Sequence, residues 1–372
     1  MEHTAVSQSA RPPGATIADT IDDLTPSWFT STFHTTGALA PHATVTSARS
    51  SVIGTGQLGY VARTELTYDT GGSCGPPSVI TKLPSQDPGS RQMGAAMGVY
   101  EAEVRFYQEI APLITARVPT MHYGAVDPPT GRFTLLLEDL STDSVPGDMV
   151  AGGTIDQAAL AIGELVALQT PVWNNPSLAS RAWLGVQRTQ MLFAAVAPAL
   201  APFLDRFADR LEPDEVTLVK QLAPKASSVT STVWKPPFVV GHGDYRLDNM
   251  LFATGPAAAP IVLIDWQGAR LAPPLLDAAI YLSACLPPQE RRRYERDLLH
   301  QYHDRLMSAG VKGFTFEDCL ASYRACSLYP LLLTVAVSIT IAESERGDAM
   351  WARLLQGAAD LAQSTNAAEL LD

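Results

Sequence analysis

Two neighbouring stretches decide the fold: residues 237–252, PFVVGHGDYRLDNMLF, and residues 259–282, APIVLIDWQGARLAPPLLDAAIYL. Short apolar runs rich in β-branched residues and bounded by turn residues read as strands. The plan is therefore strand, polar loop, strand, turn, and a further strand ending at Asp265. Asp244 and Asn249 stand five residues apart across the loop, and Asp265 closes the second strand of the hairpin that Asn249 opens. A hairpin brings its ends together, so the Asn249 amide and the Asp265 carboxylate are expected to meet at one spot. Hard oxygen donors of this kind suit magnesium bound with nucleotide phosphates. Asp244, just upstream, is left free to accept the proton of an incoming hydroxyl.

Working outward toward the N-terminus, residues 60–68 alternate, with Tyr60, Ala62, Thr64, Leu66 and Tyr68 on one side and Val61, Arg63, Glu65 and Thr67 on the other. That period of two predicts a strand directly after Gly54, Gly56 and Gly59. A dinucleotide-binding glycine motif needs a helix there and an acid about 20 residues on; Val79 and Ile80 stand near that place instead. Two readings remain for the glycines, a flexible turn over nucleotide phosphates and an ordinary hairpin turn. VITKL (79–83) predicts the next strand, with Lys82 inward if Val79 and the glycine turn face the same cleft. In GVYEAEVRFYQEIAPLI (98–114), Val99, Ala102, Phe106 and Ile110 have helical spacing. Of Glu101 and Glu103, Glu103 is the expected partner of Lys82, in the manner of the ion pair that steadies a phosphate-binding lysine.

FTLLLEDL (133–140) predicts a central strand running into a connection between lobes, where backbone groups from Glu138 to Leu140 could bind adenine. The composition then turns helix-rich, and Leu160, Leu165 and Leu168 are placed on the apolar side of a helix. Thr25, Pro26 and Gly37 punctuate an earlier short helix as N-cap, first position and stop. The expected organisation is a flexible tail over 1–20, a nucleotide-binding lobe over 21–140, and a catalytic and acceptor-binding lobe over 141–372.

HGDYRLDN followed by LIDWQ resembles the aminoglycoside phosphotransferase and choline kinase superfamily, closest to its bacterial and ecdysteroid-kinase-like branches. The likeness extends from LTPSWF (24–29) to LLHQYHDRLMSAGV (298–311). It implies an α+β, bilobal, protein-kinase-like fold with an antiparallel N-terminal sheet and a larger helical C-terminal part. It further implies ATP and magnesium as cofactors, Asp244 as catalytic base, His242 as a brace for the loop, and Asn249 and Asp265 as metal ligands. Gly54, Gly56 and Gly59 match the nucleotide loop, Lys82 the phosphate lysine, Glu103 its partner, and Asp277 a buried anchor of the catalytic loop. The chain departs from the branch pattern at Gln169, where a histidine is usual, and at Ala272, where glycine is usual.

The bulk composition is compatible with this. A 372-residue chain that is 46% hydrophobic and 17% charged can fold into two cores. Its net charge of −12 argues against nucleic-acid partners. Four cysteines without a CxxC pair suggest neither a zinc site nor a disulfide framework, and no secretory signal is read at the start, so a reducing cytoplasmic location is expected. The uncharged run 325–342 is taken as a buried helix, not a membrane span. The function expected is transfer of a γ-phosphate from ATP to the hydroxyl of a small, partly apolar acceptor. Two rivals stand beside it: an aminoglycoside phosphotransferase, and a nucleotide-binding protein without catalysis. A metal-dependent phosphohydrolase would need more histidines than His242 alone. Arg246 either binds acceptor or pairs with a neighbouring carboxylate, and Trp173, Trp183 and Trp266 either stack on acceptor or fill core.

Overall fold

The alternating run from Tyr60 to Tyr68 becomes the second strand of a five-stranded antiparallel sheet in the computed structural model, which describes residues 16–55, 58–70, 74–340, 343 and 345–371. The strands are β1 (Val45–Thr55), β2 (Gly59–Tyr68), β3 (Ser78–Pro84), β4 (Met121–Asp127) and β5 (Arg132–Glu138), in the order β1-β2-β3-β5-β4. Gly54 and Gly59 thus join two antiparallel strands. Gly56 lies outside the described residues. Only one of the two described glycines is sterically demanded: a Cβ on Gly59 would sit 2.7 Å from the Leu83 carbonyl oxygen, whereas the nearest atom to one on Gly54 is at 3.9 Å.

The chain clusters into two compact units, Met1–Val104 with Pro119–Leu140, and Arg105–Val118 with Ser141–Asp372. In the first, the helix Pro26–Thr36 is capped by the Thr25 side chain and closed by Gly37 at φ 75°. Its Phe29 and Phe33 are fully buried among Val45, Leu66, Val79, Leu83 and Leu136 on one face of the sheet. Burial of such rings stabilises by about 1.5–3 kcal/mol each, which fixes the helix against the strands. Strand periodicity places Val79, Thr81 and Leu83 on that packed face and Lys82 with Ile80 on the other. Lys82 therefore does not share a face with Val79, which corrects that part of the sequence expectation. The two are three positions apart, an odd spacing, and a period of two sends them to opposite sides.

The segment read as one helix over 98–114 is three pieces. An α-helix, Val99–Arg105, passes into a π-helical turn, Phe106–Ile110, and a 3-10 turn, Ala111–Leu113. Pro112 cannot continue the helical ladder.

In the second unit, β6 (Ser144–Pro146), β8 (Met250–Ala253) and β9 (Ile261–Leu263) form one small antiparallel sheet, and β7 (Val239–Gly241) pairs with β10 (Arg270–Ala272). All ten residues of the helix Leu276–Cys285 are buried. It is enclosed by the helices Ile155–Gln169, Phe316–Cys326, Leu328–Ser338 and Glu345–Ser364. Leu165 and Leu168 face this core, but Leu160 is 39% exposed, against expectation. Leu160 is five residues from Leu165, which turns it away from that face. The apolar run expected as one buried helix over 325–342 breaks at Ser327 and ends at Ser338; Ile341 and Ala342 lie outside the described residues. Pro330 stands in the first turn of the new helix, where its missing N–H costs nothing. By length and composition alone, Ala182–Arg210 and Phe316–Ser338 could each cross a membrane. Most of the apolar window of the second is buried within the unit, and the first carries Pro198 and Pro202 inside its helix.

The helix Glu345–Ser364 approaches Leu276–Cys285 so closely that a Cβ on Gly357 would lie 1.7 Å from the Ser283 carbonyl oxygen. Gly357→Ala should therefore lower stability by about 1–3 kcal/mol or more, read as a fall in the urea midpoint. The helix-propensity gain of roughly 1 kcal/mol is the smaller effect. An unchanged or raised midpoint would show that the two helices can separate without loss.

Candidate active site

Between the end of β7 at Gly241 and the start of β8 at Met250, the loop 242–249 has too few residues to make a ladder of its own, so its backbone is held by side chains. Asp277, 1% exposed, takes two of these bonds: Oδ2 accepts the His242 N–H at 2.7 Å and Oδ1 the Gly243 N–H at 2.9 Å. Burial pushes the Asp277 carboxyl above its ordinary value, while His242, the two N–H groups and Arg270 pull it back. The His242 ring is fully buried; Nε2 bonds the Ile264 carbonyl at 2.9 Å, and Nδ1 accepts the Asp244 N–H at 3.3 Å. Gly243 has φ +78°, and a Cβ there would meet Gly268 O at 2.4 Å and Arg270 Nε at 2.8 Å, so only glycine fits. Tyr245 adds a bond from its hydroxyl to the Ala161 carbonyl, 2.6 Å.

These anchors leave Asp244 partly exposed and bound at both carboxylate oxygens. Arg246 Nε donates to Oδ1 at 2.9 Å, and Asn249 Nδ2 donates to Oδ2 at 2.9 Å. The hairpin β8–β9 returns the chain to Asn249: Met250 pairs with Leu263, and the Ile264 N–H donates to the Asn249 carbonyl at 3.0 Å. Asp265 follows immediately, in the left-handed region at φ 66°, where a non-glycine residue is strained and aims its side chain out of the strand direction. Asn249 is 5% exposed, and its amide oxygen takes no hydrogen bond from any described residue. Among the described residues no cluster of three or more His, Cys, Asp or Glu is arranged to hold a metal. An amide oxygen and a carboxylate are hard donors that suit magnesium, with phosphate oxygens and water completing the shell.

In the first unit, Lys82 Nζ lies 2.5 Å from Glu103 Oε1, the lysine 17% and the glutamate 4% exposed at the side chain. At the end of β5, the Glu138 backbone N–H donates to Thr120 O at 2.8 Å, and its carboxylate accepts the Thr120 N–H at 2.9 Å. Asp139, before Leu140, is held by Arg63 Nε and Ser78 Oγ, each at 2.6 Å. The sequence reading considered only the backbone here and gave the Asp139 side chain no role; its partner Arg63 comes from β2, two strands away from β5 in the sheet.

Trp266 is fully buried, stacked on Phe106 at 3.6 Å between ring centroids and tilted against His242 at 4.5 Å. It fills core and has no face for an acceptor. Trp173 packs edge-on to Phe314, and the Trp183 indole donates to Glu109 at 3.4 Å. At the departure from the branch pattern, Gln169 is buried between two partners, donating to Pro274 O at 2.8 Å and accepting from the Tyr302 hydroxyl at 2.5 Å. It ties the segment before Leu276–Cys285 to the helix Pro288–Ser308. Arg246, whose two possible roles stood open, is paired with carboxylates on both sides, Asp244 and Asp248.

Residues 82–313 match the model of the Phosphotransferase enzyme family, and the chain belongs to it. It is accordingly a phosphotransferase. Two solved structures are similar in fold. A microcompartment-associated aminopropanol kinase is 15% identical with TM-score 0.53, over 88% of this chain and 94% of that one. A choline kinase from Cryptosporidium parvum is 10% identical with TM-score 0.50, over 85% of this chain and 90% of that one. No curated protein matches the sequence. The bilobal α+β class expected from the motifs is the fold found.

Removing the Asp277 carboxylate leaves two buried backbone donors without acceptors. Asp277→Ala should cost about 2–5 kcal/mol of stability, as for other buried polar groups stripped of a partner. Asp277→Asn, which keeps one acceptor oxygen, should lose less. Chemical denaturation of both variants checks the order; equal midpoints for Asp277→Ala and the parent protein would mean that the loop is held elsewhere.

Proposed function

We propose that the chain transfers the γ-phosphate of ATP, with magnesium, to the hydroxyl of a small acceptor that carries a substantial apolar part. The observation that carries the proposal is the position of Asn249: its amide nitrogen is bonded to Asp244, its carbonyl to the strand leading into Asp265, and its amide oxygen takes no hydrogen bond from any described residue. Asn249 and Asp265 would hold magnesium, which when bound neutralises phosphate charge. Asp244 would receive the proton of the acceptor hydroxyl as its oxygen attacks phosphorus. His242 would keep the loop in register through Ile264, and Asp277 through the backbone.

In the unit that contains the five-stranded sheet, Lys82 would bind phosphate oxygens, held by Glu103, with Gly54, Gly56 and Gly59 lying over the phosphates. Backbone groups at Glu138 and Leu140 would bind the base. Residues 21–140, apart from 105–118, which cluster with the other unit, would be the nucleotide-binding lobe, and 141–372 the catalytic and acceptor-binding lobe. The expected tail over 1–20 does not hold at its end, because Ile17 and Ala18 are buried and Ala18 exchanges two hydrogen bonds with Thr134. Little covalent chemistry falls to the protein in phosphoryl transfer, so positioning and charge supply most of the acceleration. The scattered thiols suit a reducing, cytoplasmic setting.

For the acceptor, the side chains packed behind the loop 242–249 are cations, which disfavours a polycation. Arg270 bonds Thr189 and Tyr329 there, and Arg188 bonds the carbonyls of Gln267 and Ala269. An aminoglycoside would call for carboxylates in such a place. With ATP and magnesium fixed, turnover should be compared for kanamycin, choline, 1-amino-2-propanol and a panel of apolar alcohols. Phosphorylation of kanamycin at kcat/KM above about 10⁴ M⁻¹s⁻¹ with every apolar alcohol inert would overturn the acceptor class.

Asp244→Asn should lower kcat by about a hundredfold or more and leave ATP affinity within a few-fold, because a general base acts in the transition state. Near-normal turnover would remove Asp244 from that role. Lys82→Ala and Glu103→Ala should be non-additive, since one residue acts through the other. A double-variant loss equal to the sum of the single losses would show that the pair does not work as a unit.

A further inference from the structure

We propose that Arg246 is a positioning residue for phosphoryl transfer: it fixes the rotamer of the Asp244 carboxylate, and Asp248 in turn holds Arg246. The proposal rests on the assignment of Asp244 as the base. Asp244 is partly exposed, and a carboxylate in that situation rotates freely unless both oxygens are engaged. Asn249 engages Oδ2 at 2.9 Å, and the only side chain bonded to Oδ1 among the described residues is Arg246, through Nε at 2.9 Å.

Arg246 is itself constrained on several sides. Its Nη1 bonds Asp248 Oδ2 and lies 3.8 Å from the Met350 sulfur, on the helix Glu345–Ser364. Its backbone N–H donates to Asp244 O at 3.1 Å, and its carbonyl accepts the Asn249 N–H at 2.9 Å. Asp248 is fixed from the far side, where Oδ1 accepts the Met149 N–H at 3.2 Å. Burial works against the Arg246 charge, and Asp244, Asp248 and Asp265 outweigh it, so the guanidinium is held above its ordinary value and stays charged. The result is a closed relay from the Met149 backbone through Asp248 and Arg246 to Oδ1 of the base.

An exposed ion pair would contribute little. Here the arginine fork has a fixed plane and bonds two carboxylates from different atoms, which sets direction as well as charge. In a loose phosphoryl-transfer transition state the orientation of the acceptor hydroxyl matters greatly, and a misplacement of about 1 Å costs on the order of a hundredfold.

The test uses the full chain with ATP and magnesium, measuring ADP release with water as acceptor and, in parallel, with the panel alcohol that the parent protein turns over fastest. Arg246→Gln should lower kcat by about ten- to a hundredfold with KM for ATP and for the alcohol within about threefold. Arg246→Lys should recover part of the loss, and Asp248→Asn should show a smaller fall of the same kind. In an Asp244→Asn background, Arg246→Gln should cause no further loss. A multiplicative loss in that background, or unchanged kcat in Arg246→Gln, would overturn the proposal. A rise confined to the KM of the alcohol would do the same, by making Arg246 an acceptor contact. Near-normal turnover in Asp244→Asn alone would instead overturn the base assignment on which the relay depends. Should Arg246→Gln fail to fold, Arg246→Lys and Asp248→Asn carry the same comparison.

Discussion

A single buried carboxylate, Asp277, organises the loop 242–249. By accepting the backbone N–H groups of His242 and Gly243 it fixes two consecutive peptide planes. Everything downstream inherits that geometry, from the bond between Asp244 N and the His242 ring to the return of Asn249 against Asp244. The desolvation cost of the carboxylate is partly offset by His242, by those two bonds and by the positive charge of Arg270, which packs against Gly243. The buried helix Leu276–Cys285 supplies the rigidity, because all its faces are packed and Asp277 in its first turn has nowhere to move.

The sheet-bearing unit solves a separate problem by the same means. Lys82 is held on its strand by Glu103, which is itself almost fully enclosed. Asp139 is locked in turn by Arg63 and Ser78. In both units a partly exposed polar group is positioned by a second, more deeply buried polar group. Such pairs add little net stability, since desolvation opposes attraction, but they restrict the geometry available to the exposed partner.

Much of this was legible in the sequence, for reasons of range. The alternation from Tyr60 to Tyr68, the Thr25–Pro26–Gly37 punctuation and the hairpin that joins Asn249 to Asp265 are local patterns, each enforced within about 20 residues. The choice between the faces of β3 also follows from period two, and Val79 was misplaced because two residues of opposite parity were assigned to one side. What could not be read is the contact made across long sequence separations. Gln169 with Tyr302, Phe106 on Trp266 and Asp139 with Arg63 leave no periodic trace. The change from α to π winding at Phe106 also escaped, because helical spacing looks the same on both sides of it. Arg246 was visible as a charge in the motif, but its two carboxylate partners depend on the tight turn at Leu247–Asn249.

The most direct measurement is a crystal structure of the protein grown with magnesium and an unhydrolysable ATP analogue. The account predicts a magnesium ion coordinated by the Asn249 amide oxygen and the Asp265 carboxylate at about 2.0–2.1 Å, with phosphate oxygens in the same shell and Asp244 outside it. A metal bound through Asp244 in place of Asn249, or a nucleotide bound without contact to Asp265, would contradict it.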